Sequence, residues 1–520
     1  MESVSSIASH VEAIVVDGAN FCESSPSHST AQGPPYVTFA KAYFRHVHRA
    51  YPFLDKDEVL KSASKLSNLD LWRQDSDSMK LGLVMAIGST TLERAGKIST
   101  ETSMNLRVPY PDILSQCLRS PGMDSLRILT LLALYSLFDP KGVATWSIVG
   151  ILTRQAAALG LTRTPPEPNS LISHDAELRH RLLWSIFVLD RMVAVSVGQP
   201  VGLVEENMDI PQPSITVEEF ASPDRVELAS LLQLNRHIIQ LRQLEQEILS
   251  VVYLPNAAEV SKMVAVDRKT IVEQLRSKIE HWYGQGCLVS LPEPDNIPIH
   301  NTITWLNARY YNLLILLYYP CHFNSQSRHT QCGESLNFIQ KYVHYNRVLL
   351  ENRQLPLNHI TLNRFLPVCL ALLYCFGISR RCNCNFAGRS DLPGVINILR
   401  QFPPTWRVAH RTASAMEEFG ELVATHEGNS STLLVRATFS DDIPFQSATR
   451  TWLKALQKSL LQIVGEALGR SSTYLYIDDW DNVQKSPGSS LGEPSQREST
   501  PTSLDANSWT FTDSFELGFL

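Results

Sequence analysis

Apolar residues recur along this chain at helical spacing and almost nowhere at strand spacing. Met79–Leu92 and Ser125–Phe138 are apolar nearly all round, the pattern of helices buried on every side. Helical patterning also starts at Tyr36 and runs to about Leu66. A helix opened by Trp146 carries small residues at Gly150 and Ala156–Ala158, which would let a neighbour approach closely, and Gly160 stands where a helix C-cap is expected. Pro165, Pro166 and Pro168 break the chain, and Ser173, His174 and Asp175 offer caps for the next helix. Further helices are predicted near Leu228–Val252, Val266–Tyr283, Asn301–Tyr319, Ser335–Glu351, Leu362–Ser379, Thr405–Thr425 and Thr449–Leu468. Strand–helix repetition is absent. The expected fold is mostly α, a large α-helical bundle or array with a disordered N-terminal leader and a disordered C-terminal tail.

Two helices raise specific questions. In Leu228–Val252 the residues Leu231, Leu234, Ile238, Leu241, Ile248 and Val251 form a heptad-like stripe interrupted by Glu245. Such a stripe packs into a core or forms the seam of a homodimer. In the segment after the prolines, Asp190 and Arg191 sit inside an apolar run. Their neighbours three and four residues away are Ile186, Phe187, Val188, Val193, Ala194 and Val195. Neither charge has a partner on its own helix, so if the helix is buried both need partners from other helices. Arg154 is the candidate partner for Asp190. A small-molecule effector pocket lined by these charges is the functional alternative.

Composition sharpens the ends of the chain more than its middle. With 520 residues and 44% hydrophobic content, there is material for a large core. The net charge of −6 is concentrated at the termini, leaving a centre close to neutral with no strong pull on phosphate. Residues 1–35 hold Glu2, Glu12, Asp17 and Glu23 and no Lys or Arg, and read as a leader. Residues 36–484 form the expected folded body. Residues 485–520 begin Ser/Pro/Gly-rich and end with acids among Trp509, Phe511, Phe515 and Phe519, the composition of an acidic-hydrophobic activation segment that a coactivator groove would take up. Nine cysteines without a signal peptide point to reduced thiols in cytosol or nucleus. The longest uncharged apolar run, Phe365–Ser379, is 15 residues, short for a membrane span, and reads as a core helix.

The stretch from Trp146 to Pro211 resembles the regulatory, or middle homology, domain of fungal zinc-cluster transcription factors. The residues that carry the likeness are Trp146, Arg154 and Leu159–Gly160–Leu161, then Glu177, Arg179, Arg181 and Trp184. Asp190–Arg191, Gly198–Gln199–Pro200 and Asp209–Ile210–Pro211 complete it. His180, Ser185 and Gln199 depart from the usual pattern. His46–Val59 is similar to the family's opening motif and Ala308–Cys321 to a later helix, so the likeness extends over roughly residues 36 to 470. It implies a nuclear transcription regulator of a pathway-specific gene set, with secondary metabolism among the candidates. Implied partners are a coactivator or a DNA-bound protein, a second copy of the chain, and a small-molecule effector. The family contacts DNA through six closely spaced cysteines beside a basic segment. Here Cys22 is the only cysteine before Cys117, so contact with DNA is expected through a missing module or a partner. Zinc enters only with such a module.

Signals for chemistry are thin. Gly488–Gly492 has the letters of a nucleophile elbow without the strand and helix that strain it. Asp478, Asp479 and Asp481 resemble half of an aspartate-rich magnesium motif, which makes a metal-dependent α-helical enzyme of terpenoid-cyclase type the rival reading. A dimerising adaptor without catalysis is the other. Cys382 and Cys384, near Cys369 and Cys375, and the pair His46 and His48 lack zinc-site spacing. No catalytic, metal or cofactor residue is assigned. Arg380, Arg381, Arg389, Arg400, Arg407 and Arg411 make one basic stretch, read as a solvated face.

Overall fold

The computed structural model describes residues 36–66, 72, 75–99, 106–164, 174–289, 302–379, 391–433 and 443–477. The leader, the acidic tail with its four aromatics, Ser173, Cys382, Cys384, Arg380, Arg381, Arg389, Asp478–Asp481 and Gly488–Gly492 all lie outside these residues. The described residues fall within a single unit that ends at Val483.

Among the described residues there are seventeen α-helices and no β-strand, only an isolated bridge between Cys321 and Ile477. The first six helices are α1 Tyr36–His46, α2 Lys56–Lys65, α3 Ser76–Arg94, α4 Tyr110–Arg119, α5 Met123–Ser136 and α6 Thr145–Ala158. The middle group is α7 His174–Val197, α8 Val217–Ala221, α9 Arg225–Ile248, α10 Ala257–Lys262 and α11 Ala265–Val289. The last group is α12 Ile303–Leu317, α13 Arg328–Glu351, α14 His359–Ser379, α15 Asp391–Arg400, α16 Arg407–Leu433 and α17 Ile443–Leu468.

Local chemistry sets many of the boundaries. Asp55 and Asp75 cap α2 and α3 by accepting from the N–H groups of Glu58 and Ser78, each at 2.8 Å. Thr216 with Glu219, and Asn256 with Glu259, form reciprocal capping boxes for α8 and α10. Gly160 takes the left-handed C-cap position expected of it, with φ +66°.

Neighbours in sequence are mostly neighbours in space. The packing runs from α1 against α3, through α5, α6 and α7, to α9, α11, α12 and α13, and closes with α15, α16 and α17. Helix α14 crosses this series, touching α7, α13, α15, α16 and α17. Its His359–Phe376 segment is long and apolar enough to cross a membrane, yet 89% of it is buried within the protein, as a core helix requires. The stripe on α9 is also spent inside: Leu231, Leu234, Ile238, Leu241 and Ile248 are buried within the chain. A dimer seam along that stripe is therefore not available.

The small residues act elsewhere than predicted. Gly150 faces open space. The close approach is between α1 and α3, where a Cβ on Gly88 would lie 1.9 Å from the carbonyl oxygen of Phe39.

Candidate regulatory site

Helix α7 is buried along nearly its whole length, charges included. Part of the reason lies in the segment from Gly198 to Thr216, irregular apart from a 3-10 turn at Glu205–Asn207, which straps α7. Its prolines prevent a regular ladder, so its backbone polar groups need partners from side chains. The α7 side chains supply them. Asp190 accepts from the N–H of Gly202 at 2.9 Å and of Leu203 at 2.9 Å. Glu177 accepts from the N–H of Ser214 at 2.7 Å. The Trp184 indole donates to the carbonyl of Pro211 at 2.7 Å. Arg181 grips both oxygens of Glu219 at 2.8 and 2.7 Å, and reaches the Ser214 carbonyl and Glu177 as well. Arg179 donates to the Gly160 carbonyl at the end of α6.

These contacts correct two expectations. Asp190 is not paired with Arg154, which is exposed on α6. Its partners are backbone N–H groups of a loop and not side chains of another helix. Burial still pushes the Asp190 carboxyl above its usual range, against the pull of the Leu203 and Gly202 N–H groups. Arg191 is fully buried and lies flat over the Phe187 ring, 3.3 Å from its centroid. The Asp190 and Glu205 carboxylates stand 3.9 and 3.8 Å away, while its nitrogens make no hydrogen bond. Burial pushes Arg191 down to about 10, with those carboxylates pulling the other way. Phe187 is on the same helix, so Arg191 does find a partner locally, through a ring that charge pairing does not count.

The remaining residues of the sequence motif separate. Trp146 is 38% exposed, so it opens α6 from the surface and not from the core. Pro200 is exposed and Gly198 buried. Gly198 has φ +66°, and a Cβ there would meet Thr473 and Ser472 within 3 Å. The far end of the chain docks on this turn. Thr473 donates its N–H to the Gly198 carbonyl, the Tyr474 hydroxyl donates to the Val195 carbonyl at 2.5 Å, and Tyr319 donates to the Tyr474 carbonyl.

Asp190 and Arg191 are not among the residues that wall the main cavity. This cavity, of about 1000 Å³, is walled by residues of α1, α3, α5, α7, α9, α12, α13 and α14, with Met192 as the α7 contribution. Exposed Arg45 and Arg353 stand at its edge. Glu245 from α9 does not line the cavity; it is completely buried and is held by two residues that do, Arg242 at 2.5 Å and Arg364 at 3.0 Å. Arg309 from α12 also lines the cavity. It is 6% exposed and makes no hydrogen bond or ion pair among the described residues. Burial pushes its pKa down and nearby Arg242 adds to that, with Tyr342 and Glu245 pulling the other way. A buried charge in this state costs several kcal/mol. Sequence reasoning missed all three arginines and read Glu245 only as a break in a stripe. Their signal was a lone base inside an apolar helical run.

Among the described residues no group of three or more His, Cys, Asp or Glu side chains is placed to hold a metal, and the six described cysteines are free thiols. The described part of the basic stretch is neutralised at two points: Arg400 pairs with Glu417 and Arg411 with Glu466, each at 2.5 Å, while Arg407 is exposed.

Residues 40–284 match the fungal specific transcription factor domain. The chain is 28% identical over 478 residues to Protein STB5 of Saccharomyces cerevisiae, an alignment covering 86% of this chain and 59% of that protein. It is 31% identical over 269 residues to the negative regulator of pleiotropic drug resistance STB5 of Candida glabrata, covering 48% of this chain and 25% of that one. It is 24% identical over 254 residues to pyrimidine pathway regulatory protein 1 of Saccharomyces cerevisiae, covering 46% and 27%. The chain thus spans about three fifths of the first relative's length and about a quarter of each of the other two. No solved structure matches it.

Proposed function

We propose that this chain, whose residues 40–284 are a fungal specific transcription factor domain, is the regulatory body of a zinc-cluster-type transcription regulator. The observation that carries this reading is the match over that domain, continued along 86% of the chain in one relative. Two of the relatives bear the names of regulators, one of drug resistance and one of a pyrimidine pathway. A pathway-specific gene set is the corresponding role here. The work is done in the nucleus and is not catalytic. DNA is reached through a zinc-cluster module outside this sequence or through a DNA-bound partner.

The helical body supplies the conditional part. A regulator of this kind changes output when a ligand or partner binds two of its states with different affinity. The residues of α7 and the strap over it hold one of those states together. Trp509, Phe511, Phe515 and Phe519 supply the activating part, by offering aromatics to a coactivator.

The test is a reporter driven by the chain fused to an unrelated DNA-binding domain. The fusion activates, and removal of residues 504–520 lowers that activation severalfold. Unchanged output after the deletion removes the activation segment. A fusion that neither activates nor represses under any growth condition removes the regulator. The enzyme reading is tested separately: Asp478→Ala with Asp479→Ala leaves the fold and the reporter output intact. Magnesium-dependent turnover that this double change abolishes would favour the enzyme.

A further inference from the structure

One part of the cavity wall carries a buried charge that the fold does not pair. Where α9, α12 and α14 meet, three guanidinium groups, Arg242, Arg309 and Arg364, line the cavity around one buried carboxylate, Glu245. Glu245 is taken by Arg242 and Arg364, which leaves Arg309 buried, facing the cavity, and without a partner. Buried guanidinium groups are ordinarily paired and hydrogen-bonded. The rest of the wall offers apolar surface, with Leu134, Phe138, Ile238, Trp305 and Leu355, beside charged residues such as Glu93, Arg94 and Glu351. A largely apolar cavity of this volume, with a few convergent polar groups, has the form of a small-molecule site.

We propose that this cavity binds a small organic carboxylate with an apolar body, its carboxylate on Arg309 and its body against the apolar walls. A guanidinium presents two parallel N–H groups that match the two oxygens of a carboxylate. Arg242 and Arg364, already fixed by Glu245, flank the bound group and add to the positive field. The neutral and hydrophobic part of the ligand fills space that Arg309 alone leaves open.

The location gives binding a consequence. Arg242 belongs to the matched domain at 40–284, whereas Arg309 and Arg364 lie beyond it. A ligand seated here therefore bridges the two parts of the helical body, and its occupancy holds α9, α12 and α14 in the arrangement described. That regulatory meaning rests on the transcriptional reading above; the binding itself does not.

The experiment uses the purified 520-residue chain and three probe acids, decanoate, 1-naphthoate and adipate, each beside its neutral amide. Thermal melting and calorimetry are read for the parent and for Arg309→Met. At least one acid raises the melting temperature saturably, its amide does so at least tenfold more weakly, and Arg309→Met loses at least tenfold in affinity for that acid. Arg309→Met melts no lower than the parent without probe, which separates lost binding from lost fold. Equal binding of acid and amide, full affinity in Arg309→Met, or no response to any of the three acids overturns the proposal. An acid that binds as described but leaves the reporter output unchanged retains the site and removes its transcriptional role.

Discussion

Helix α7 under its strap and the cavity beside it are built from the same materials, arginine and carboxylate within apolar walls, but they are balanced differently. Around α7 each buried carboxylate has specific donors: Asp190 the N–H groups of Gly202 and Leu203, Glu177 that of Ser214, Glu219 the fork of Arg181. Even Arg191, with no hydrogen bond, has a ring beneath it and two carboxylates within 4 Å. At the cavity wall Glu245 is held by two arginines, and Arg309 makes no hydrogen bond or ion pair among the described residues. The comparison separates two uses of buried charge. Around α7, charge holds an irregular segment to a helix. In the cavity, an unmatched charge lowers stability in the absence of something that completes it.

The contrast breaks first at Asp190. Asp190→Ala leaves the Leu203 N–H buried and unpaired, strips the Gly202 N–H of its acceptor and takes a counter-charge from Arg191, at an expected cost of about 3–5 kcal/mol. Urea denaturation reads this loss directly, and a variant melting like the parent would end the account of the strap. Arg181→Lys comes next, at about 2 kcal/mol, because an ammonium cannot hold both oxygens of Glu219 and the Ser214 carbonyl together. Arg309→Met has the opposite sign. Removing an unpaired buried charge leaves the unliganded chain as stable as the parent or more stable, by about 1 kcal/mol. If that change is as harmful as Asp190→Ala, the two regions are not different in kind.

The smallest effect lies in the acid range. Burial pushes Glu219 up, but the Arg181 hydrogen bonds outweigh it and hold the carboxyl below its ordinary 4.5. Its contribution is therefore present above 4.5 and is lost as pH falls through the depressed value. Asp190, pushed up, contributes in the other direction: its share is full below its ordinary 3.8 and declines as pH rises through the elevated value. Glu219→Gln should flatten the acid limb of stability against pH, measured by chemical denaturation from pH 3 to 7. An unchanged limb would show that the Arg181 fork carries little.

Much of this was legible in the sequence, and the failures have physical causes. Helices α3, α5 and α14 were visible because an all-round apolar run has few other solutions. Helices α4 and α15 were missed. Each is ten residues long with a proline in its first turn, Pro111 and Pro393, which reads as punctuation although that turn tolerates proline well. The buried charges of α7 were found by position, but the partner chosen for Asp190 was wrong. Loop N–H groups twelve and thirteen residues away are donors in every sequence and so leave no residue-type signal. The cavity was hidden for a related reason: Arg242, Arg309 and Arg364 are far apart in the chain and meet only because α9, α12 and α14 do.

The docking of Ser472–Ile477 on the Gly198 turn has a genetic corollary. The matched domain ends at residue 284, yet the C-terminal end of its buried helix α7 is sealed by Tyr474, nearly two hundred positions later. A premature stop codon between residues 285 and 472 would spare every residue of that domain and still leave α7 without its lid. Such alleles should behave as complete loss of function, whereas stops placed after Ile477 should yield a folded product.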